Sequence, residues 1–297
     1  MKRLKEIRDV WRWVLAKSKG GGSYNNINII RLAKSCFSFC QNEALIKEGA
    51  DFKKDPRYSY YLTIRKLLCV KKVVGPYKCV RIGGHNDGAY VMLDSLEGNI
   101  AYSIGIGDNV NWDIDMASRG YEIFQYDHTI NNLPCQNAHF HWKKVGVTGG
   151  RESENMKHLS TLIRQNKHEN IKGMILKMDI EGDEWQVLKT IKTDILRQFD
   201  QIVLEIHDLT LRMDLPVEEA LNKLTENHQL VHIHANNAAK VDYCGDLFMP
   251  DIIELTLVNS GKYTFEDSQQ WFPVANLDEP NIRDLIEIQL GIWNKQS

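Results

Sequence analysis

Two glycines in Ser103-Ile104-Gly105-Ile106-Gly107-Asp108-Asn109 close an apolar run and feed an expected helix that would carry Trp112, Ile114 and Met116. Such a turn lets backbone N–H groups approach a ligand at the start of a helix. It also serves as a plain strand-to-helix turn. A second apolar run ends at Asp127, 22 residues after Gly105, where a carboxylate can accept hydrogen bonds from both hydroxyls of a ribose. Together the two features indicate a nucleoside-containing cofactor. Val110 stands at the third position of G-x-G-x-x-G, and Asp108 directly after the second glycine repels a pyrophosphate. S-adenosylmethionine, cationic and free of phosphate, suits the loop better than NAD, which leaves an NAD-dependent oxidoreductase as the rival.

Asp179 ends a fourth apolar run, and Glu205, His207 and Asp208 end a fifth. Ends of neighbouring parallel strands lie about 5 Å apart, so these groups face one site. Methyl transfer from such a cofactor needs the nucleophile in line with the methyl group and its proton removed. Asp179 is expected to hold the acceptor. His207, with an ordinary pKa of about 6.5, is expected to take the proton, and Glu205, on the same strand face, to orient either one. Two other readings stay open: Asp179 and Asp208 as oxygen ligands of Mg²⁺, or His207 as a buried imidazole bridging backbone groups. Glu181 is a candidate substrate contact or a helix-capping acid. His232 and His234 share a strand face. His234, nearer the carboxyl end and followed by Asn236, is the acceptor-site candidate, and His232 the packing one. Asp87 and Tyr90 lie in a turn-rich segment expected to fold over the site.

These residues need a scaffold. Seven apolar runs, AYSIGIG, YEIFQY, HFHWKKVGV, GMILKM, QIVLEIH, QLVHIH and DIIELTLV, are separated by segments long enough for crossover helices, including Glu184 to Lys192 and Val217 to Asn227. That alternation predicts an α/β fold with a mainly parallel sheet and helices on both faces. The scarcity of helical pattern from Ala235 to Pro250 suits a final antiparallel strand. Ahead of the sheet, residues 1–75 form a helical region: an amphipathic helix over Met1 to Lys19, a Gly20-Gly21-Gly22-Ser23 hinge, and helix from about Ile29 to Leu68 punctuated at Asp55-Pro56. The apolar stripe with Trp11 and Trp13 is expected to cap the site or join two subunits as a homo-oligomer. Residues 76–297 form the sheet domain.

Composition narrows the class. With 297 residues, 43% hydrophobic and 26% charged, the chain has a globular make-up. A net charge of −2 argues against nucleic acid as the partner. Six cysteines without a C-x-x-C pair fit a reducing, cytoplasmic setting, and no run is long and apolar enough for a membrane span.

Five segments in order, RIGGHNDGAYVMLD, YSIGIGDNVNWD, LKMDIEGDEWQVL, IVLEIH and HIHANN, resemble the FkbM-like branch of class I S-adenosylmethionine-dependent methyltransferases. Asp179-Ile180-Glu181-Gly182 followed by Glu184 is the most specific of these. The resemblance implies a Rossmann-like seven-stranded fold with the cofactor over Gly105 and Gly107 and its ribose on Asp127. It also implies that Val147, after the third strand, lies near the adenine, and Asp108 and His128 are further cofactor-binding candidates. It also implies a sugar hydroxyl as acceptor, in a surface or capsular polysaccharide or its nucleotide-sugar precursor. An amine or peptide acceptor, or an inert binding module on the same fold, would leave a similar sequence.

Overall fold

The computed structural model describes residues 26–210 and 212–294. The helix expected over Met1 to Lys19 and the glycine hinge lie outside the described residues. Two helices lead in, α1 (Asn26–Lys47) and α2 (Pro56–Leu67). The break at Asp55-Pro56 is a cap: the Asp55 carboxylate accepts from Arg57 N, and Pro56 takes the first helical position, where its missing N–H costs nothing.

The sheet strands are β1 (Ile100–Ile104), β2 (Glu122–Tyr126), β3 (Phe140–Lys143), β4 (Met174–Met178), β5 (Phe199–Ile206), β6 (His228–Ala235) and β7 (Ile253–Asn259). Between them run α3 (Asn111–Ser118), α4 (Leu159–Gln165), α5 (Glu184–Thr190) and α6 (Val217–Thr225). The strand order is β6-β7-β5-β4-β1-β2-β3. All pairings are parallel except those of β7, which runs antiparallel to both β5 and β6. The apolar runs thus become the seven strands, with the antiparallel one last. HFHWKKVGV divides: Phe140–Lys143 joins the sheet, whereas Gly146–Val147 pairs with Met156–Lys157. A tight turn, Val145 N to Lys143 O at 2.8 Å, separates the two pieces.

Side-chain alternation gives each strand two faces. Tyr102, Ile104, Leu176, Met178, Ile202 and Leu204 pack with Tyr61 and Ile64 of α2 and with residues of α4, α5 and α6 in one large core. Ala101, Ile123, Ile175 and Val203 face the other way, onto Trp112 and Met116 of α3 and a hairpin of Cys79–Ile82 with Tyr90–Leu93. Helices therefore cover both faces. Ile114, expected among the apolar positions of α3, is exposed. No described helix is long and apolar enough to cross a membrane.

One contact joins the strands at the site. Gly105 has φ +78°, and a Cβ there would lie 1.6 Å from the carbonyl oxygen of Asp179. No side chain fits. Gly105→Ala is expected to cost about 3 kcal/mol in urea unfolding. Gly107→Ala, where an added Cβ meets nothing within 4 Å but φ is +56°, should cost only the left-handed strain of about 1–2 kcal/mol.

Candidate active site

The ends of β1, β2, β4, β5, β6 and β7 converge on a polar site. On one side is the glycine turn. The Asp127 carboxylate, just past β2, accepts from Ile106 N at 2.8 Å and Gly107 N at 2.9 Å through Oδ2. Through Oδ1 it accepts from Thr129 N at 2.7 Å and the Thr129 hydroxyl at 2.6 Å. Burial works against its ionisation, but these hydrogen bonds win and bring the carboxyl down to about 2. The acid expected to hold a ribose therefore also shapes the turn, and a ribose hydroxyl would compete with Thr129 for Oδ1. Gly107 and Asp108 are exposed on the turn. His128 lies over Gly146, where an added Cβ would come within 2.5 Å of its Nδ1, next to buried Val147.

On the other side Asp179, Glu205 and Tyr90 meet. The fully buried Tyr90 hydroxyl lies 3.2 Å from Asp179 Oδ2 and 3.4 Å from Glu205 Oε2. Burial, then the two carboxylates, push its pKa well up, so it remains a donor. Asn236 Nδ2 donates to Glu205 Oε1 at 2.7 Å. Burial and the neighbouring Asp179 and Glu254 raise the Glu205 pKa far above the usual carboxylate range. Asp87 reaches the site through Asn281, whose Nδ2 donates to Asp87 Oδ1 at 2.9 Å and to Glu254 Oε1 at 2.6 Å.

His207 sits differently from the expectation. Its Nδ1 lies 3.2 Å from Glu184 Oε1, and its Nε2 is 3.5 Å from Glu181 and 3.9 Å from Glu205. Glu184 is itself held by Ile180 N and Gly182 N. Burial alone would lower the imidazole pKa, yet the Glu184 bond and the surrounding carboxylates raise it to about 9. The ring is cationic at neutral pH. Glu181 adopts φ 58° and points largely into solvent. His234 is buried between Glu254, 3.1 Å from Nδ1, and Glu287 at Nε2. Despite burial, these carboxylates lift it to about 10. Both ring nitrogens are engaged, so His234 braces the strand ends. His232 pairs with Asp278 at 2.8 Å.

Two groups of possible metal ligands assemble among the described residues, Asp179–Glu184–His207 and Asp87–Glu205–Glu254. Asp208 belongs to neither; with φ 63° its carboxylate lies over Gly182. Three site residues escaped the sequence reading. Lys177, buried in β4, donates to the Gly105 carbonyl and lies 4.0 Å from Asp179. Glu254 interrupts the apolar run of β7. A charge inside each run was the available clue. Asn281 lies in irregular chain and left none.

The strand order, the glycine turn closing β1 and the acids at the ends of β2, β4 and β5 define a class I methyltransferase fold. Residues 71–230, more than half of the chain, match the model of the methyltransferase FkbM domain. The chain belongs to that family and is a methyltransferase. A solved structure similar to it is a mutant 16S rRNA (adenine(1408)-N(1))-methyltransferase from Catenulisporales acidiphilia, at 9% identity and TM-score 0.30, over 56% of this chain and 87% of that one. No curated protein matches the chain significantly.

The Asp127 carboxyl is depressed on folding, so its contribution to stability is present above its unfolded value near 3.8 and is lost as pH falls through about 2. Asp127→Asn is expected to cost about 2 kcal/mol at pH 7. In denaturant titrations the gap between the two proteins should close progressively below pH 4.

Proposed function

We propose that the protein transfers the methyl group of S-adenosylmethionine to a hydroxyl of a sugar, in a surface polysaccharide or its nucleotide-activated precursor. The observation that carries the reading is a carboxylate, Asp179, fixed beside a glycine turn whose Gly107 has open space in front of it. The residues fit this cofactor. Gly107 leaves room for it, Asp127 offers the ribose an ionised carboxylate, and the abundance of acids at the strand ends favours a sulfonium and opposes a pyrophosphate. The sugar acceptor comes from the family resemblance.

When bound, the cofactor supplies a methyl group on a cationic sulfur. The acceptor oxygen forms the new bond to that carbon as the carbon–sulfur bond breaks, and the hydroxyl proton must leave to a base. That base is Asp179. His207, expected for the task from its ordinary pKa, is already protonated at neutral pH and has no lone pair to offer. It serves as a fixed positive charge beside Glu184 and Glu205. Tyr90 and Lys177 hold Asp179 from two directions, which keeps it pointed at the acceptor.

Asp179→Asn should lower turnover by about two to four powers of ten while leaving S-adenosylhomocysteine affinity, measured by calorimetry, within a few-fold. Full turnover in that variant would remove Asp179 from the role. The wild-type chain should bind S-adenosylhomocysteine and ignore NADH. With labelled cofactor it should methylate members of a nucleotide-sugar panel; methylated amines or peptides with untouched sugars would overturn the acceptor class.

A further inference from the structure

Asp87, Glu205 and Glu254 come from a loop, the end of β5 and the start of β7, yet one oxygen from each lies within 4.8 Å of the others. Oxygens bound to one cation at about 2.0–2.6 Å are separated by up to about 5 Å. Glu205 and Glu254 are buried, whereas Asp87 is exposed and opens the cluster to solvent. Among the described residues no lysine or arginine pairs with any of the three. The nearest ammonium, Lys177, lies against Asp179, and the cationic neighbours are His207, 3.9 Å from Glu205, and His234 on the outer oxygen of Glu254. Buried carboxylates this close cost heavily in desolvation and repulsion unless a cation joins them.

A separate feature points to what joins them. Asn281, only 6% exposed, is directed into the cluster by its amide bonds to Asp87 and Glu254, and its Oδ1 is buried without any partner. An orphaned buried carbonyl oxygen is costly. A turn of this amide presents that oxygen to a cation held by the same carboxylates. The outer contacts are those of a metal site, where ligands are oriented by further hydrogen bonds: Asn236 holds Glu205 and His234 holds Glu254.

We propose that Asp87, Glu205, Glu254 and Asn281 form a binding site for a hard divalent cation, Mg²⁺ or Ca²⁺. Oxygen-only ligation selects these over zinc or copper. The site differs from the Asp179–Asp208 pair expected from the sequence. It is also preferred to the Asp179–Glu184–His207 group, whose imidazole is a softer ligand than a hard cation selects. Tyr90 bridges from Glu205 to Asp179, so the cation would sit beside the acceptor. Lowering the pKa of the acceptor hydroxyl is the part of its role that rests on the proposed reaction.

The test uses the full chain, stripped with EDTA, with no cofactor or acceptor present. Titration with Mn²⁺, followed by the electron-paramagnetic resonance signal of the free ion, should show one bound ion per chain, displaced by Mg²⁺ or Ca²⁺. Glu205→Gln and Glu254→Gln should each weaken Mn²⁺ binding at least tenfold, and Asp208→Asn should leave it unchanged. Should the buried variants fail to fold, Asn281→Ala decides, with at least a threefold loss expected. No Mn²⁺ retained at millimolar concentration, or unaltered affinity in the folded variants, overturns the site and leaves methyl transfer standing. Mn²⁺ binding lost in Asp208→Asn overturns it as well. A chain that binds Mn²⁺ as described but methylates nothing upholds the site and overturns the reaction.

Discussion

The approach of Gly105 to the Asp179 carbonyl is the constraint on which the site depends. β1 and β4 are neighbours in register, with Ile104 opposite Met178. The pairing continues past the strands, where Asp179 N donates to Ile104 O at 3.0 Å. The Lys177 ammonium then fastens to the Gly105 carbonyl, and Asp127 grips the far side of the turn through Ile106 and Gly107. Neither the turn nor the acid can shift without the other. The lock therefore holds the glycine turn and Asp179 at a fixed separation through the backbone itself.

Around the lock the charge balance is deliberately uneven. Asp179, Glu184, Glu205, Glu254 and Glu287 gather about one lysine and two histidines. Ion pairs of this depth rarely stabilise a fold more than apolar residues of the same size would. Glu184 is tolerated because two backbone N–H groups and His207 satisfy it, and Glu254 because His234 and Asn281 do. Glu205 has an amide, a shared tyrosine hydroxyl and His207 at 3.9 Å, but burial and then the neighbouring Asp179 and Glu254 outweigh them and raise its proton affinity. Groups perturbed in this manner at converging strand ends mark a site shaped for chemistry more than for stability.

The sheet was legible because buried parallel strands read as short apolar runs, and their ends could be named to the residue: Gly105, Asp127, Asp179, Glu205. Each does reach the convergent end of the sheet, because parallel strands must all finish on one edge. What the runs do not encode is mutual titration. His207 reads as an ordinary imidazole until Glu184 is seen against its Nδ1. Nor do they encode side-chain partners across the sheet, so His234 reads as a site residue although Glu254 and Glu287 occupy both its nitrogens. Asp208 joins neither group of possible ligands; its φ is 63° and its carboxylate lies over Gly182.

The least legible part is the segment 273–290, which has no period of its own. Its ends are joined by pairing of Trp271–Phe272 with Gly291–Ile292, so it closes as a loop against the strand ends. Polar tethers hold it there: Asp278 on His232, Glu287 on His234, and the Asn237 side chain bonded to the backbone of Ile282 and Leu285. Glu279 reaches His85 and Asn281 reaches Asp87, tying the loop to the chain ahead of Tyr90. The glycine turn and Asp127 therefore follow from the order of the strands, whereas the Asp87 side is completed by a segment added after the sheet. The two sides are joined through Asp179, Tyr90 and Glu205 and by the bond from Asn109 Nδ2 to the Asp87 carbonyl at 2.8 Å, so the segment that completes the Asp87 side is tied to the turn as well.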